Sequence, residues 1–322
     1  MVRSLCHGGR PIARRGVSPA AAAAAAMLAL CLCHAAAPAA PAMADLNPAQ
    51  RAWVARQAPV SYAPERDYGP FVYLDGDGAV RGLSVDFLAL IGEKTGLRFV
   101  ATEALPLNAN LDKAKRGAVD MLTSLRPTPG RAAFLGFTTA YVAIPAALIR
   151  RADQPAGLGL RDMAGRTVAL GKGYAVEEFV RARYPRVQWL ALASDDAALA
   201  ALVAGQVDGV VADVASLQFL VSRRGWNQLV VAGHVGFEYP LSFAYRKDLP
   251  MLGEVVQRGL RAISAAERRH LLARWLPPAL HGTWQNRPTW PMWAVAALLL
   301  AGAGLALWRA RRAAAGTRGA AS

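Results

Sequence analysis

Residues Thr123–Tyr141 read T-S-L-R-P-T-P-G-R-A-A-F-L-G-F-T-T-A-Y. The segment follows a short apolar run, Ala118–Leu122, and sets Arg131 among Ser, Thr and Pro residues. A guanidinium fixed there offers a planar fork that holds a carboxylate through two parallel, charge-assisted hydrogen bonds. Thr128-Pro129-Gly130-Arg131 is a weak motif alone. Its meaning depends on the pattern around it.

Outward from this stretch, strand and helix signals alternate. Upstream, Asn47-Pro48 reads as an N-cap with proline at the first helical position, opening a helix through Gln57. After Val60–Ala63, the Tyr68-Gly69-Pro70-Phe71 turn and Phe71–Leu74 lead into a hairpin-type turn, Asp75-Gly76-Asp77-Gly78. A plain turn is favoured there over a calcium loop, because the spaced ligands and distal Glu of an EF-hand are missing. Val85–Lys94 is expected to be a helix ending at Gly96, followed by strand Arg98–Thr102, helix Asn110–Arg116 and strand Val119–Thr123. Downstream, strands are expected at Ala140–Arg150, Thr167–Leu170, Val187–Leu192, Val207–Ala212, Gln228–Ala232 and Tyr239–Arg246. Helices fall at Val176–Tyr184, Asp195–Ala204, Val214–Arg223, Met251–Ile263 and Ala265–Trp275. This is an α/β pattern, with parallel sheets covered by helices. Periodicity breaks near Arg150–Leu160 and again at Gly233–Tyr239. Two breaks bracketing one α/β unit imply two lobes, a hinge of two crossovers and a ligand cleft between them.

The ends carry targeting signals. Arg3, Arg10, Arg14 and Arg15 precede an apolar run, Ala20–Ala37, and Ala42-Met43-Ala44 forms a small-x-small cleavage site. Residues 1–44 therefore read as a signal peptide, exported by general secretion because no Phe-Leu follows Arg14-Arg15. Cys6, Cys31 and Cys33 all lie inside it, so the mature body has no thiol, disulfide or cysteine metal site. Near the other end, Pro291–Trp308 is an uncharged run of 18 residues. As a helix it spans roughly 27 Å, enough for a bilayer core. Trp290, Trp293 and Trp308 flank it, and Arg309, Arg311 and Arg312 follow at once. Residues 290–308 are thus expected to cross the membrane, with 309–322 cytoplasmic and 45–289 in the periplasm. Ala301-Gly302-Ala303-Gly304 would permit close helix pairing there.

The formal charge of +15 includes four arginines at each end, leaving +7 on the body. That mild excess has no clustered basic face, which excludes a nucleic-acid binder. His234, His270 and His281 are too scattered for a metal site, and no cofactor is implied.

The order of motifs resembles the family 3 extracellular solute-binding domains, whose bilobed "Venus flytrap" fold is that of periplasmic binding proteins of type 2. The resemblance covers about Val60 to Leu276 and looks most like the input domains of BvgS/EvgS-type membrane sensors. It is carried by Y-G-P-F-V-Y-L-D-G-D-G (68–78), R-G-L-S-V-D-F (81–87), R-G-A-V-D (116–120) and T-P-G-R (128–131). D-M-A-G-R-T-V-A-L-G-K-G-Y-A-V-E-E (162–178), G-Q-V-D-G-V-V-A-D (205–213), G-F-E-Y-P-L-S-F-A-Y-R-K-D (236–248) and A-E-R-R-H-L-L-A-R-W-L (266–276) complete it. The implied lobe one takes about 58–150 and 238–278, and lobe two about 155–234.

By that resemblance, Arg131 clamps a ligand α-carboxylate and Asp213 holds its ammonium group. For Asp213 the residues alone read equally as an N-cap before Val214–Arg223. Tyr68 and Phe71 match an aromatic wall, with ordinary core positions as the alternative. Tyr174 and Ala175 begin a helix whose positive end would face an anion. Ser124 and Arg126 complete the expected ligand set. The sequence departs from the family at Arg126, where Ser or Thr is frequent, and at Leu107, where Trp is frequent. A second arginine points to a more acidic ligand, such as a dicarboxylate, or to an internal ion pair. The function implied is a membrane-anchored sensor of an amino acid or organic acid, with a separate signalling partner because 14 residues follow Trp308. The alternative is the binding subunit of an amino-acid importer with a permease partner. An enzyme is not expected, since neither a Ser/His/Asp set nor an acid–base carboxylate pair is recognisable.

Overall fold

The computed structural model describes residues 43–155 and 158–281. The expected signal peptide up to Ala42, the membrane span and the cytoplasmic tail lie outside them. Among the described residues no helix is long and apolar enough to cross a membrane.

The described residues open with helix α1 (Pro48–Arg56), capped by Asn47 in a reciprocal box with Gln50. Strands β1 (Val60–Ala63), β2 (Asp67–Tyr68), β3 (Val72–Leu74) and β4 (Val80–Arg81) follow, then α2 (Leu83–Thr95) and β5 (Phe99–Ala101). Next come α3 (Leu107–Lys115), β6 (Met121–Leu125), the single turn α4 (Pro129–Ala132), β7 (Leu135–Phe137) and β8 (Val142–Arg151). The middle of the chain supplies β9 (Thr167–Gly171), α5 (Ala175–Arg183), β10 (Gln188–Leu192), α6 (Asp195–Val203), β11 (Gly209–Asp213) and α7 (Val214–Arg224). It closes with β12 (Leu229–Arg246), α8 (Pro250–Ala262), α9 (Ala265–Trp275) and α10 (Pro278–His281).

Nine strands form one hydrogen-bonded array in the order β10-β9-β11-β8-β12-β6-β1-β5, with β7 also on β12. In lobe one, β1 pairs parallel with β5 and β6; in lobe two, β9 pairs parallel with β10 and β11. Strands β6 and β11 are buried along their whole length, as runs covered on both faces must be. The array is mixed rather than parallel throughout, because β8 and β12 run antiparallel to each other and to their neighbours. These two strands join the lobes.

Their course differs from the sequence reading in two places. Ala146–Ile149 already pair with β11, so β8 enters lobe two well before the break at Arg150–Leu160. That break contains a turn at the far end of β8, closed by Ala152 N–H to Gln228 O and Gln154 N–H to Arg151 O. The second expected break, Gly233–Tyr239, lies inside one continuous strand, β12. Register shifts after Val231 and His234, with Gly236 at φ 74°, let β12 absorb extra residues without leaving β8. The glycines mark bulges, not a strand end.

Strands β2–β4 form a separate small sheet on lobe one. Its turn is fastened by Asp75, which accepts from Asp77 N, Ala79 N and the Arg81 guanidinium. In the core, Tyr141 stacks on Phe243 at 4.6 Å and tilts against Phe87 at 5.1 Å. The buried Lys94 ammonium reaches Glu267 at 2.6 Å, tying α2 to α9.

Candidate functional site

Arg131 is placed by α4, a single turn capped by Thr128, whose hydroxyl accepts from Arg131 N. Its side chain is only 7% exposed and lies between the lobes. One guanidinium nitrogen, Nη1, donates to Arg126 O at 2.7 Å; the other, Nη2, donates to Gly173 O of lobe two at 2.9 Å. Burial lowers its pKa to about 10, and the nearby Glu65 carboxylate works against that fall. The residue is still a cation at neutral pH.

Around it is a cavity of about 20 Å³, room for roughly one water. Six expected residues line it: Arg131, Tyr68, Ser124, Arg126, Tyr174 and Ala175. Tyr68 presents its ring edge to Tyr174 at 5.5 Å. Phe71 stands behind Tyr68 at 4.9 Å, fully buried, and does not line the cavity. Ser124 has φ 56°, a strained conformation for a residue other than glycine. Its hydroxyl is bonded to Ser84 Oγ at 2.7 Å, and Tyr141 bonds to both serines. Arg126 donates to Glu238 O at 2.6 Å and lies 3.9 Å over the Phe237 ring. Its planar charge is thus stacked and bonded within the protein.

Asp213 does not line the cavity. Its carboxylate accepts from Ser216 N and Ser216 Oγ, both at 2.8 Å, and caps α7. Burial pushes its pKa up to about 6, with the Ser216 bonds drawing it partly back. The helix start at Tyr174 is likewise engaged: Gly173 N–H donates to Glu177 Oε2 at 2.9 Å while Gly173 C=O receives Arg131.

Glu65 and Asp195 lie in none of the motifs quoted above, and Tyr239, inside the 236–248 motif, is not among the expected ligand residues. Glu65 is 7% exposed, lines the cavity and accepts a hydrogen bond from the Tyr174 hydroxyl across the cleft. Burial raises its pKa to about 7, against the pull of Tyr174 and Arg131. Asp195, at the start of α6, is pushed well above the usual carboxylate range by burial and by Asp213 and Glu65. The Tyr239 hydroxyl is buried without a partner, and its residue lines the cavity. One sequence signal could have found Glu65: it lies two residues past the carboxyl end of a parallel strand, where ligands of α/β folds gather.

Residues 60–278 match the family described as bacterial extracellular solute-binding proteins, family 3. The chain belongs to that family. Within it, the chain is 30% identical over 232 residues to virulence sensor protein BvgS of Bordetella bronchiseptica, covering 69% of this chain and 18% of that protein. It is 24% identical over 249 residues to sensor protein EvgS of Escherichia coli K12, covering 74% and 20%. The chain therefore spans about a fifth of the length of the curated relatives it matches. Among solved structures, the BvgS periplasmic VFT2 domain of Bordetella pertussis superposes with a TM-score of 0.67 at 25% identity, over 72% of this chain and 99% of that one. An ancestral arginine-binding protein bound to arginine shares the fold, with a TM-score of 0.63 at 20% identity, over 69% and 99%. The chain thus carries a bilobed solute-binding domain of the kind found in BvgS- and EvgS-type sensors. Its matching family is one of binding proteins rather than enzymes.

Proposed function

We propose that this solute-binding domain is the periplasmic input module of a membrane-anchored sensor. Its two lobes close on a small carboxylate-bearing solute, an amino acid or an organic acid. Closure is then passed through α9 to a membrane span and on to a signalling module. The observation that carries this reading is Arg131: a buried guanidinium of lobe one that already reaches across the cleft to lobe two. A charge is held in such a place only when anions or oriented dipoles compensate its desolvation.

The cavity is far smaller than any amino acid, so a ligand enters only after the lobes part. On entry its carboxylate takes the two guanidinium donors now held by the carbonyls of Arg126 and Gly173. An ammonium group, where the ligand has one, is drawn to the carboxylates of Asp213, Asp195 and Glu65. Tyr68 covers the ligand. Phe71 supports Tyr68 from behind, and Ser124 and Ala175 contribute backbone to the walls. The match to sensors favours this reading over an importer subunit.

A thermal-shift screen of the full chain against amino acids, dicarboxylates and tricarboxylates tests it. A carboxylate that raises the melting temperature in proportion to the logarithm of its concentration is expected. Stabilisation only by uncharged sugars or amines would overturn the ligand class.

A further inference from the structure

The lobes also meet away from the Arg131 cleft, where α7 of lobe two faces the small β2–β4 sheet of lobe one. Phe219 of α7 lies directly on the backbone of Gly69: a Cβ at position 69 would stand 2.1 Å from the ring. Only glycine admits a ring at that approach. On its other side Phe219 meets Tyr73 of β3, with ring centroids 4.8 Å apart. The Arg223 guanidinium covers both rings, 4.9 Å from the Tyr73 centroid and 5.7 Å from that of Phe219. Tyr73 in turn meets Trp275 edge-on at 6.3 Å. Trp275 is the last residue of α9, and its indole N–H donates to Asp86 Oδ2 at 2.7 Å. Arg274 pairs with the same carboxylate at 3.2 Å.

Phe219, Tyr73 and Trp275 thus form a continuous row from lobe two to the end of α9, the helix that leads toward the expected membrane span. All three rings are half-buried, and a cavity of about 80 Å³ borders Tyr73, Phe219 and Arg223. Close packing does not lock the row on every side. Movement of lobe two away from lobe one lifts Phe219 from Gly69 and Tyr73, so Tyr73 loses one of its two ring neighbours. Trp275 then loses a fixed support while its Asp86 bond remains.

We propose that Phe219, Tyr73 and Trp275 are a positioning relay that reports lobe closure to α9. The relay's purpose rests on the sensor reading above, but its operation requires no ligand.

Amide hydrogen exchange on the full chain tests it, with α9 (Ala265–Trp275) as the readout and α8 as internal reference. Phe219→Ala, on the opposite lobe, is expected to speed exchange in α9 by about threefold or more, the size of a lost aromatic pair, while α8 is unchanged. Phe219→Tyr keeps the ring and returns α9 to the wild-type rate. In a Tyr73→Leu background, α9 is already fast and Phe219→Ala adds nothing. Should Phe219→Ala reduce folding yield, Phe219→Leu serves in its place with the same expectations. Unchanged α9 exchange in the Phe219 variants overturns the relay, and so does an equal rise in α8 and α9, which reports global loosening. An undiminished Phe219 effect without Tyr73 also overturns it. Because no solute is added, a failed ligand screen leaves these results standing, and the two readings fall separately.

Discussion

The lobes meet along two seams of opposite character. The inner seam is built from charge and hydroxyl groups: Arg131 to Gly173 O and Tyr174 to Glu65. The outer seam is built from rings, Phe219 on Gly69 and Tyr73, with Trp275 beyond. Buried ions gain from partners only what desolvation leaves, so the inner seam is sensitive to any missing partner and to protonation. Ring contacts are weakly directional, and the seating of Phe219 on Gly69 and Tyr73 is not itself a contact between charges, so the outer seam depends less on protonation than the inner one. A cleft that must open for a solute and a contact that must report the opening call for these different materials.

The contrast can be broken most sharply at Arg131. Arg131→Ala leaves the carbonyls of Arg126 and Gly173 without their charged donor and is expected to cost about 3 kcal/mol, read by denaturant unfolding. Arg131→Lys is expected to recover only part, since one ammonium cannot hold two carbonyls through a planar fork. On the outer seam, Phe219→Ala is expected to cost about 2 kcal/mol, below the range for a fully buried Phe, and by the same amount at pH 5 and pH 7.5. Tyr174→Phe removes the donor to Glu65 and is expected to cost about 1–2 kcal/mol. That loss is accompanied by a further rise of the Glu65 pKa, measurable by carboxyl carbon NMR.

The pH dependence sharpens the comparison further. The Glu65 pKa is raised from 4.5 to about 7, and that of Asp213 from 3.8 to about 6. Between each pair of values the folded, closed state binds more protons than the unfolded chain, so stability falls as pH rises. The contribution is fully present below about pH 4 and is lost through pH 6–7. Melting temperature is therefore expected to decline from pH 4.5 to 7, and Glu65→Gln is expected to flatten the upper part of that slope. A slope unchanged in Glu65→Gln would remove Glu65 from the account.

Much of the architecture was legible because its signals are local. The Asn47 cap, the helix ending at Gly96 and the short apolar strands β6, β9 and β11 all follow from periodicity and caps within a few residues. The crossover strands were less legible. Gly233 and Gly236 punctuate β12 as they would a loop, and only pairing with β8, remote in sequence, keeps the strand continuous. The site was half legible for the same reason. Arg131, Tyr68, Tyr174 and Tyr239 sit in motifs, whereas Glu65 and Asp195 lie outside them and join the site only when the lobes meet. Arg126 was read as a sign of an acidic ligand or an internal pairing. The partners found are internal, a backbone carbonyl and the Phe237 face.

Calorimetric titration of a stabilising carboxylate into the wild-type chain and into Arg131→Ala tests the central claim most directly. The account predicts saturable one-to-one binding to the wild type, at least a hundredfold weaker in the variant, which corresponds to a loss of about 2.7 kcal/mol. Equal affinity in both proteins would contradict it, because the solute would then be held without the guanidinium between the lobes.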